Sequence, residues 1–204
     1  MTTTPHSSPT RLRSICVFCG SNPGVQDDYR HAAQAIGKRL AESSIRLVYG
    51  GGSCGLMGAI ADATLAAGGR VLGVIPHAIE QRELAHHGIS ELHVVGSMHE
   101  RKAMMNEQSD AFLALPGGLG TYEELFEVLS WAQLGIHRKP IAILNVAGYF
   151  DPLLAMLDHA LREKFLRPEH HALLLHGADI DDLLARMADY KSTIVEKWLD
   201  IEQG

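Results

Sequence analysis

The chain of 204 residues is long enough for one domain with a single core, and its 46% hydrophobic and 21% charged content is the balance of a soluble globular protein. A formal net charge of −6 argues against a nucleic-acid backbone as the main partner, because such a partner calls for a basic surplus. The Thr-, Ser- and Pro-rich start has no signal-peptide pattern and no apolar run is long enough to span a membrane, so residues 1–12 are expected to form a flexible tail ahead of a cytoplasmic domain at 13–204, with no membrane partner. Apolar runs at 13–19, 46–49, 70–75, 92–95, 111–115, 141–144 and 172–175 read as strands. Most are continuously apolar, as in a parallel sheet covered on both faces. Helical patterns alternate with them. Residues 29–43 carry Ala32, Ala33, Ile36 and Leu40 at helical spacing, and the Ala-rich stretch 56–67 stops at Gly68-Gly69. Residues 98–108 follow Ser97, with Glu100 three positions on, which is a capping box. Further helices are expected at 122–134, 152–165, 181–187 and 193–201, while 77–90 reads as a short helix or a lid. The alternation predicts an α/β class, with one open, doubly wound, mostly parallel sheet flanked by helices in a single domain.

In such sheets ligands bind at the carboxyl ends of the strands. Three strand ends here break into turn residues. The first reads Cys19-Gly20-Ser21-Asn22-Pro23-Gly24 and the second Gly50-Gly51-Gly52-Ser53-Cys54-Gly55. The third reads Pro116-Gly117-Gly118-Leu119-Gly120-Thr121 and runs on through Tyr122 to Glu123-Glu124. Glycines let a backbone approach a ligand closely, and a helix start adds unpaired N–H donors and a positive dipole end, so the third turn suits a phosphate. The second turn matches G-x-G-x-x-G in form, but the strand after it, Val71 to Pro76, lacks the acidic residue that would hold a ribose hydroxyl of NAD. Close strand–helix packing explains its glycines equally well. The favoured reading is a mononucleotide shared between the second and third turns, touching Gly51, Gly52 and, from the first turn, Ser21.

Arg101 lies on one helix face with Met104, Met105 and Gln108. A guanidinium there could fork onto a phosphate or a purine edge, although spacing alone favours a solvated face carrying Arg101 and Lys102. Thr121-x-x-Glu124 has a capping-box reading, which accounts for Glu124 without chemistry and leaves Glu123 as a first-turn acid. In an enclosed site the same carboxylate could orient water or stabilise a developing cation. Cys16 and Cys19 form C-x-x-C inside a strand, with odd spacing that puts the thiols on opposite faces, so they are expected to be core residues. The paired histidines His86-His87 and His170-His171, like His93 and His99, have no third ligand at a recognisable spacing, and no metal is expected.

Together these motifs resemble the LOG ("Lonely Guy") family of cytokinin riboside 5′-monophosphate phosphoribohydrolases. The resemblance rests on Val17-Phe18-Cys19-Gly20-Ser21, Tyr49-Gly50-Gly51-Gly52, Gly55-Leu56-Met57-Gly58, Gly73-Val74-Ile75-Pro76, Met98-His99-Glu100-Arg101-Lys102 and the 116–124 turn. It continues through Trp131-Ala132-Gln133-Leu134-Gly135, Lys139-Pro140, Asn145-Val146 and Gly148-Tyr149. It implies a Rossmann-like fold, a homodimer and no cofactor. The implied reaction is hydrolysis of the N-glycosidic bond of AMP or N6-substituted AMP, giving free base and ribose 5-phosphate. By motif position it implies Arg101 and Glu124 as the catalytic pair and Gly117, Gly118, Gly120 and Thr121 as the phosphate turn. Glu83, Lys102, Glu123 and Ser130 fall on substrate-contacting positions. Ser130 stands where the family more often has threonine, and Leu119 where an aromatic is common. The competing readings are a broad purine-monophosphate nucleosidase, a non-catalytic nucleotide or cofactor carrier on the same fold, and the older label of lysine decarboxylase. That last chemistry would need pyridoxal phosphate on Lys102 or Lys139.

Overall fold

A computed structural model describes residues 12–80 and 84–192. The expected tail (residues 1–11 of it), the expected helix at 193–201 and Glu83 lie outside the described residues. Leu12 is buried in the core.

The described residues form seven strands and eight helices: β1 Ser14–Phe18, α1 Asp27–Glu42, β2 Arg46–Tyr49, α2 Gly55–Ala66, β3 Val71–Pro76, α3 His77–Glu80 and β4 Glu91–Val95. There follow α4 Met98–Glu107, β5 Ala111–Ala114, α5 Leu119–Gln133, β6 Ile141–Leu144, a 3-10 turn at Val146–Gly148, α6 Asp151–Arg162, α7 Pro168–His171, β7 Leu174–Gly177 and α8 Ile180–Ala188. The strands make one sheet in the order β4-β3-β2-β1-β5-β6-β7, and every pairing is parallel. The expected sheet is therefore present and wholly parallel.

Alternation along the central strands builds two cores. Ile15, Val17, Cys19, Leu47, Leu113 and Leu115 face α1, α2 and α8, whose Ile36, Leu40, Ile60 and Leu183 cover them. Cys16, Phe18, Val48, Val74, Phe112 and Ala114 face the other way, under Met105 of α4, Leu125 and Val128 of α5 and Leu153 of α6. Both faces being dry explains the continuous apolar runs. It also separates Cys16 from Cys19, as their spacing predicts. Burial, with the nearby Glu124 charge adding to it, pushes both thiols well above their ordinary range.

The chain winds outward from β1 through β2 and β3 to β4, then returns to lay β5 on the other side of β1. The reversal leaves a crevice at the carboxyl ends of β1 and β5, where α/β sheets bind ligands. The first and third turns follow these two strands, and the Gly20 N–H donates to the Pro116 carbonyl at 3.0 Å.

Two caps govern the helices beside this crevice. Ser97 caps α4, its hydroxyl accepting the Glu100 N–H at 3.2 Å, while the Glu100 carboxylate reaches back to the Gly96 N–H at 2.8 Å. The start of α5 differs from expectation. The helix begins at Leu119 with Gly118 as its N-cap and no side-chain cap bond. Thr121 is thus inside the first turn, and the Thr121–Glu124 capping box does not form. Helix α7 is too short to have left a periodic signal.

Candidate functional site

A cavity of about 510 Å³ opens at the crevice between β1 and β5. The first turn supplies Gly20, Ser21 and Asn22, and the third supplies Gly117 to Thr121. Arg101, Glu124 and Tyr149 complete its chemistry-bearing wall. The cavity therefore lies between the first and third turns, not between the second and third. Gly51 and Gly52 are not among the described residues lining it; only Leu56 and Met57 of the second segment reach it. Gly51 and Gly52 are engaged elsewhere: the Gly51 carbonyl accepts the His86 N–H at 2.8 Å, and Gly52 bridges to Ala85.

The third turn has two kinds of glycine. A Cβ on Gly117 would sit 2.1 Å from Thr121 Oγ1 and 2.8 Å from the Gly20 nitrogen, so close approach of the two turns requires glycine there. A Cβ on Gly118 or Gly120 would meet nothing within 4 Å. Packing does not demand glycine at either position, but a ligand resting on the backbone would. The opening N–H groups of α5 lack intrahelical partners and carry the positive end of its dipole.

Arg101 is 6% exposed, so the solvated reading of this position is overturned. Its Nε donates to the Val74 carbonyl at 3.1 Å and Nη2 to the Gly50 carbonyl at 3.3 Å, at the carboxyl ends of β3 and β2. Nη1 lies 3.8 Å from Glu124 Oε1. Helices α4 and α5 flank β5 in sequence and cover the same sheet face, which is how residues 23 positions apart meet. Two backbone anchors hold the guanidinium, and it lines the cavity beside the nearly buried Glu124 carboxylate.

Lys102 faces α5 one step away, its Nζ 2.6 Å from Glu123 and 2.8 Å from Glu127. Burial alone would lower its pKa, but the hydrogen bonds and charges of those carboxylates prevail and raise it. Lys102 and Glu123 thus fasten α4 to α5 behind the cavity and do not line it. Ser130 is exposed further along α5. Neither lysine fits an aldimine-forming role. Lys102 is held charged by two acids, and Lys139 Nζ donates to the Asn106 side chain at 3.3 Å and lies over Phe112, away from the cavity lining. Among the described residues no three His, Cys, Asp or Glu side chains gather as a metal site requires.

The residues that sequence reasoning passed over are Asn22, Tyr29 and Tyr149, all lining the cavity. The available signal was topological: each follows β1 or β6, next to the crevice.

Comparisons with known proteins identify the relatives of this chain. Residues 57–187 match the family model described as "Possible lysine decarboxylase". The chain is 47% identical over 182 residues to the Arabidopsis thaliana cytokinin riboside 5′-monophosphate phosphoribohydrolase LOG7, covering 89% of this chain and 84% of that one. The chain belongs to the LOG family. A bacterial member, the cytokinin riboside 5′-monophosphate phosphoribohydrolase of Rhodococcoides fascians, is 49% identical over 174 residues, which are 85% of this chain and 88% of its own. Among solved structures, the molybdenum cofactor carrier protein of Chlamydomonas reinhardtii superposes with a TM-score of 0.63 at 22% identity, covering 84% of this chain and 93% of that one. That likeness is one of fold alone.

Proposed function

We propose that the chain hydrolyses the N-glycosidic bond of adenosine-type 5′-monophosphates, AMP and its N6-substituted cytokinin forms, releasing free base and ribose 5-phosphate. One observation carries this reading: Glu124 and the opening turn of α5 line the same cavity, with Arg101 3.8 Å from that carboxylate. The phosphate rests on the 117–121 turn, where backbone N–H groups and the helix dipole favour an anion. That grip on the far end of the nucleotide fixes the sugar, so binding energy remote from C1′ is used at C1′. As the base departs, C1′ becomes cation-like. The Glu124 carboxylate stabilises that centre more than the neutral ground state and orients the attacking water on it. Arg101, held by the Val74 and Gly50 carbonyls, sets the carboxylate and offsets charge on the departing base. Ser21 of the first turn faces the same space and suits a sugar or phosphate oxygen. Lys102 and Glu123 act from behind by holding α4 on α5.

The reading includes a homodimer formed on the α5–α6 side, where Leu134, Ile136 and Met156 are exposed. It also includes activity on AMP itself, a cytoplasmic location and no nucleic-acid partner; no described helix is long and apolar enough to cross a membrane. Incubation of the purified protein with AMP, isopentenyladenosine monophosphate, GMP and CMP, followed by chromatography, tests the reaction. Adenine or isopentenyladenine in equal molar amount with ribose 5-phosphate is the expected result. Binding without base release would make the protein a carrier.

A further inference from the structure

The anion-binding turn has no side chain of its own at Gly117 or Gly118, so something else must hold its peptide planes. The loop after β6 does this. The Asn145 amide Nδ2 donates to Asp151 at 2.6 Å, its Oδ1 accepts the Phe150 N–H at 2.7 Å, and its backbone N–H donates to the Gly177 carbonyl at 2.8 Å. Between these fixed points Ala147 and Gly148 both take left-handed backbone, with φ of 50° and 72°. That conformation is costly for alanine, so the loop accepts strain for the position it reaches. The product is Tyr149, whose hydroxyl donates to the Gly117 carbonyl. Tyr122 packs beside this contact, edge-on to Phe150. Burial first, and the neighbouring Tyr149 phenol second, push the Tyr122 phenol up to about 12. Edge-on contacts brace the pair: Tyr149 with Tyr29 at 5.7 Å and with Phe150 at 5.1 Å, and Tyr122 with Phe150 at 6.3 Å.

We propose that Tyr149 is a positioning residue for the phosphate turn. A trans peptide is planar, and no described peptide is cis, so fixing the Gly117 carbonyl also fixes the direction of the Gly118 N–H. The phenol thereby sets the turn's donors before a phosphate arrives, removing an ordering cost from binding. The inference rests on the phosphate placement proposed above.

The test compares wild type and Tyr149→Phe, reading ribose 5-phosphate binding by calorimetry and AMP hydrolysis by steady-state kinetics. Losing the bond weakens ribose 5-phosphate binding by roughly tenfold and raises KM for AMP by a like factor, with kcat held within about threefold. A lowered melting temperature with unchanged ribose 5-phosphate affinity overturns the inference, as does a fall in kcat at constant KM. If Tyr149→Phe does not fold, the ligand-free wild type still decides: a backbone order parameter near 0.85 is expected for the Gly118 N–H, as in rigid backbone, and one below about 0.6 overturns the inference. If the wild type binds ribose 5-phosphate but releases no adenine, the hydrolase reading fails while the calorimetric comparison still judges Tyr149. A wild type that does not bind ribose 5-phosphate overturns the inference.

Discussion

Two glycine-rich turns follow parallel strands in this molecule and, Gly117 apart, they use glycine for different reasons. In the turn after β2 the protein itself fills the space. A Cβ on Gly50 would lie 2.1 Å from Arg101 Nη2, on Gly55 2.3 Å from the Ser21 backbone, and on Gly58 2.0 Å from the Ser53 carbonyl. In the turn after β5, Gly118 and Gly120 face open space. The sequence patterns look alike, and the G-x-G-x-x-G match belongs to the turn whose glycines serve packing. A glycine with nothing beside it, on the rim of a cavity at a helix start, points to a ligand; a glycine pressed by backbone points to the fold.

Three variants break or sharpen this contrast. The largest effect is on chemistry: Glu124→Gln keeps size but removes charge, and kcat/KM for AMP should fall about a thousandfold, the scale of losing one pre-set electrostatic contact. Its thermal midpoint should stay near that of the wild type, and normal turnover would remove Glu124 from the mechanism. Next comes Gly58→Ala, which drives a methyl into a backbone carbonyl and should destabilise the fold by about 1–3 kcal/mol in chemical denaturation. A Gly58→Ala protein as stable as wild type would undo the packing half of the comparison. Gly120→Ala should do the reverse. Position 120 lies within α5, so alanine there should be neutral or stabilising by up to about 1 kcal/mol, while KM for AMP rises roughly tenfold as the methyl enters the phosphate's space. Unchanged KM would mean that no ligand rests there.

The smallest effect concerns pH and lies away from both turns. Burial foremost, together with the Lys139 charge, lowers the pKa of His137, outweighing its bond to Val128. The neutral ring has partners on both nitrogens: Nε2 lies 2.9 Å from the Val128 carbonyl, and Nδ1 accepts the Lys139 N–H at 3.1 Å. A base with a lowered folded pKa contributes stability above its unfolded value of about 6.5, and this is lost as pH falls through the folded value. The stability gap between wild type and His137→Gln should therefore be widest near pH 7.5 and narrow toward pH 5. A constant gap would contradict the sign.

Much of the fold was legible because burial on both faces leaves continuous apolar strands in β1, β2, β3, β5 and β6. The third turn was readable as a candidate anion site because a buried strand ends in glycines just before a helix, and in the structure that turn lines the cavity. Three things were not. The start of α5 was masked because Thr121 imitates an N-cap, whereas Gly118 holds that position. The burial of Arg101 was hidden because its partners, the Val74 and Gly50 carbonyls, lie 27 and 51 residues away and only the sheet brings them together. Tyr149 was readable only as part of a motif; its contact with Gly117, 32 residues away, was hidden likewise. Local spacing reports what a segment prefers; it does not report which strand ends become neighbours when the chain reverses at β5.

The central claim is that one nucleotide spans the α5 turn and Glu124, phosphate at the first and C1′ at the second. A crystal structure of Glu124→Gln with bound AMP tests it most directly. The account predicts phosphate oxygens at about 3 Å from the N–H groups of residues 118–121, with C1′ facing residue 124 across the cavity. A nucleotide seated instead on the Gly50–Gly55 turn, or one whose C1′ lies away from residue 124, would contradict it.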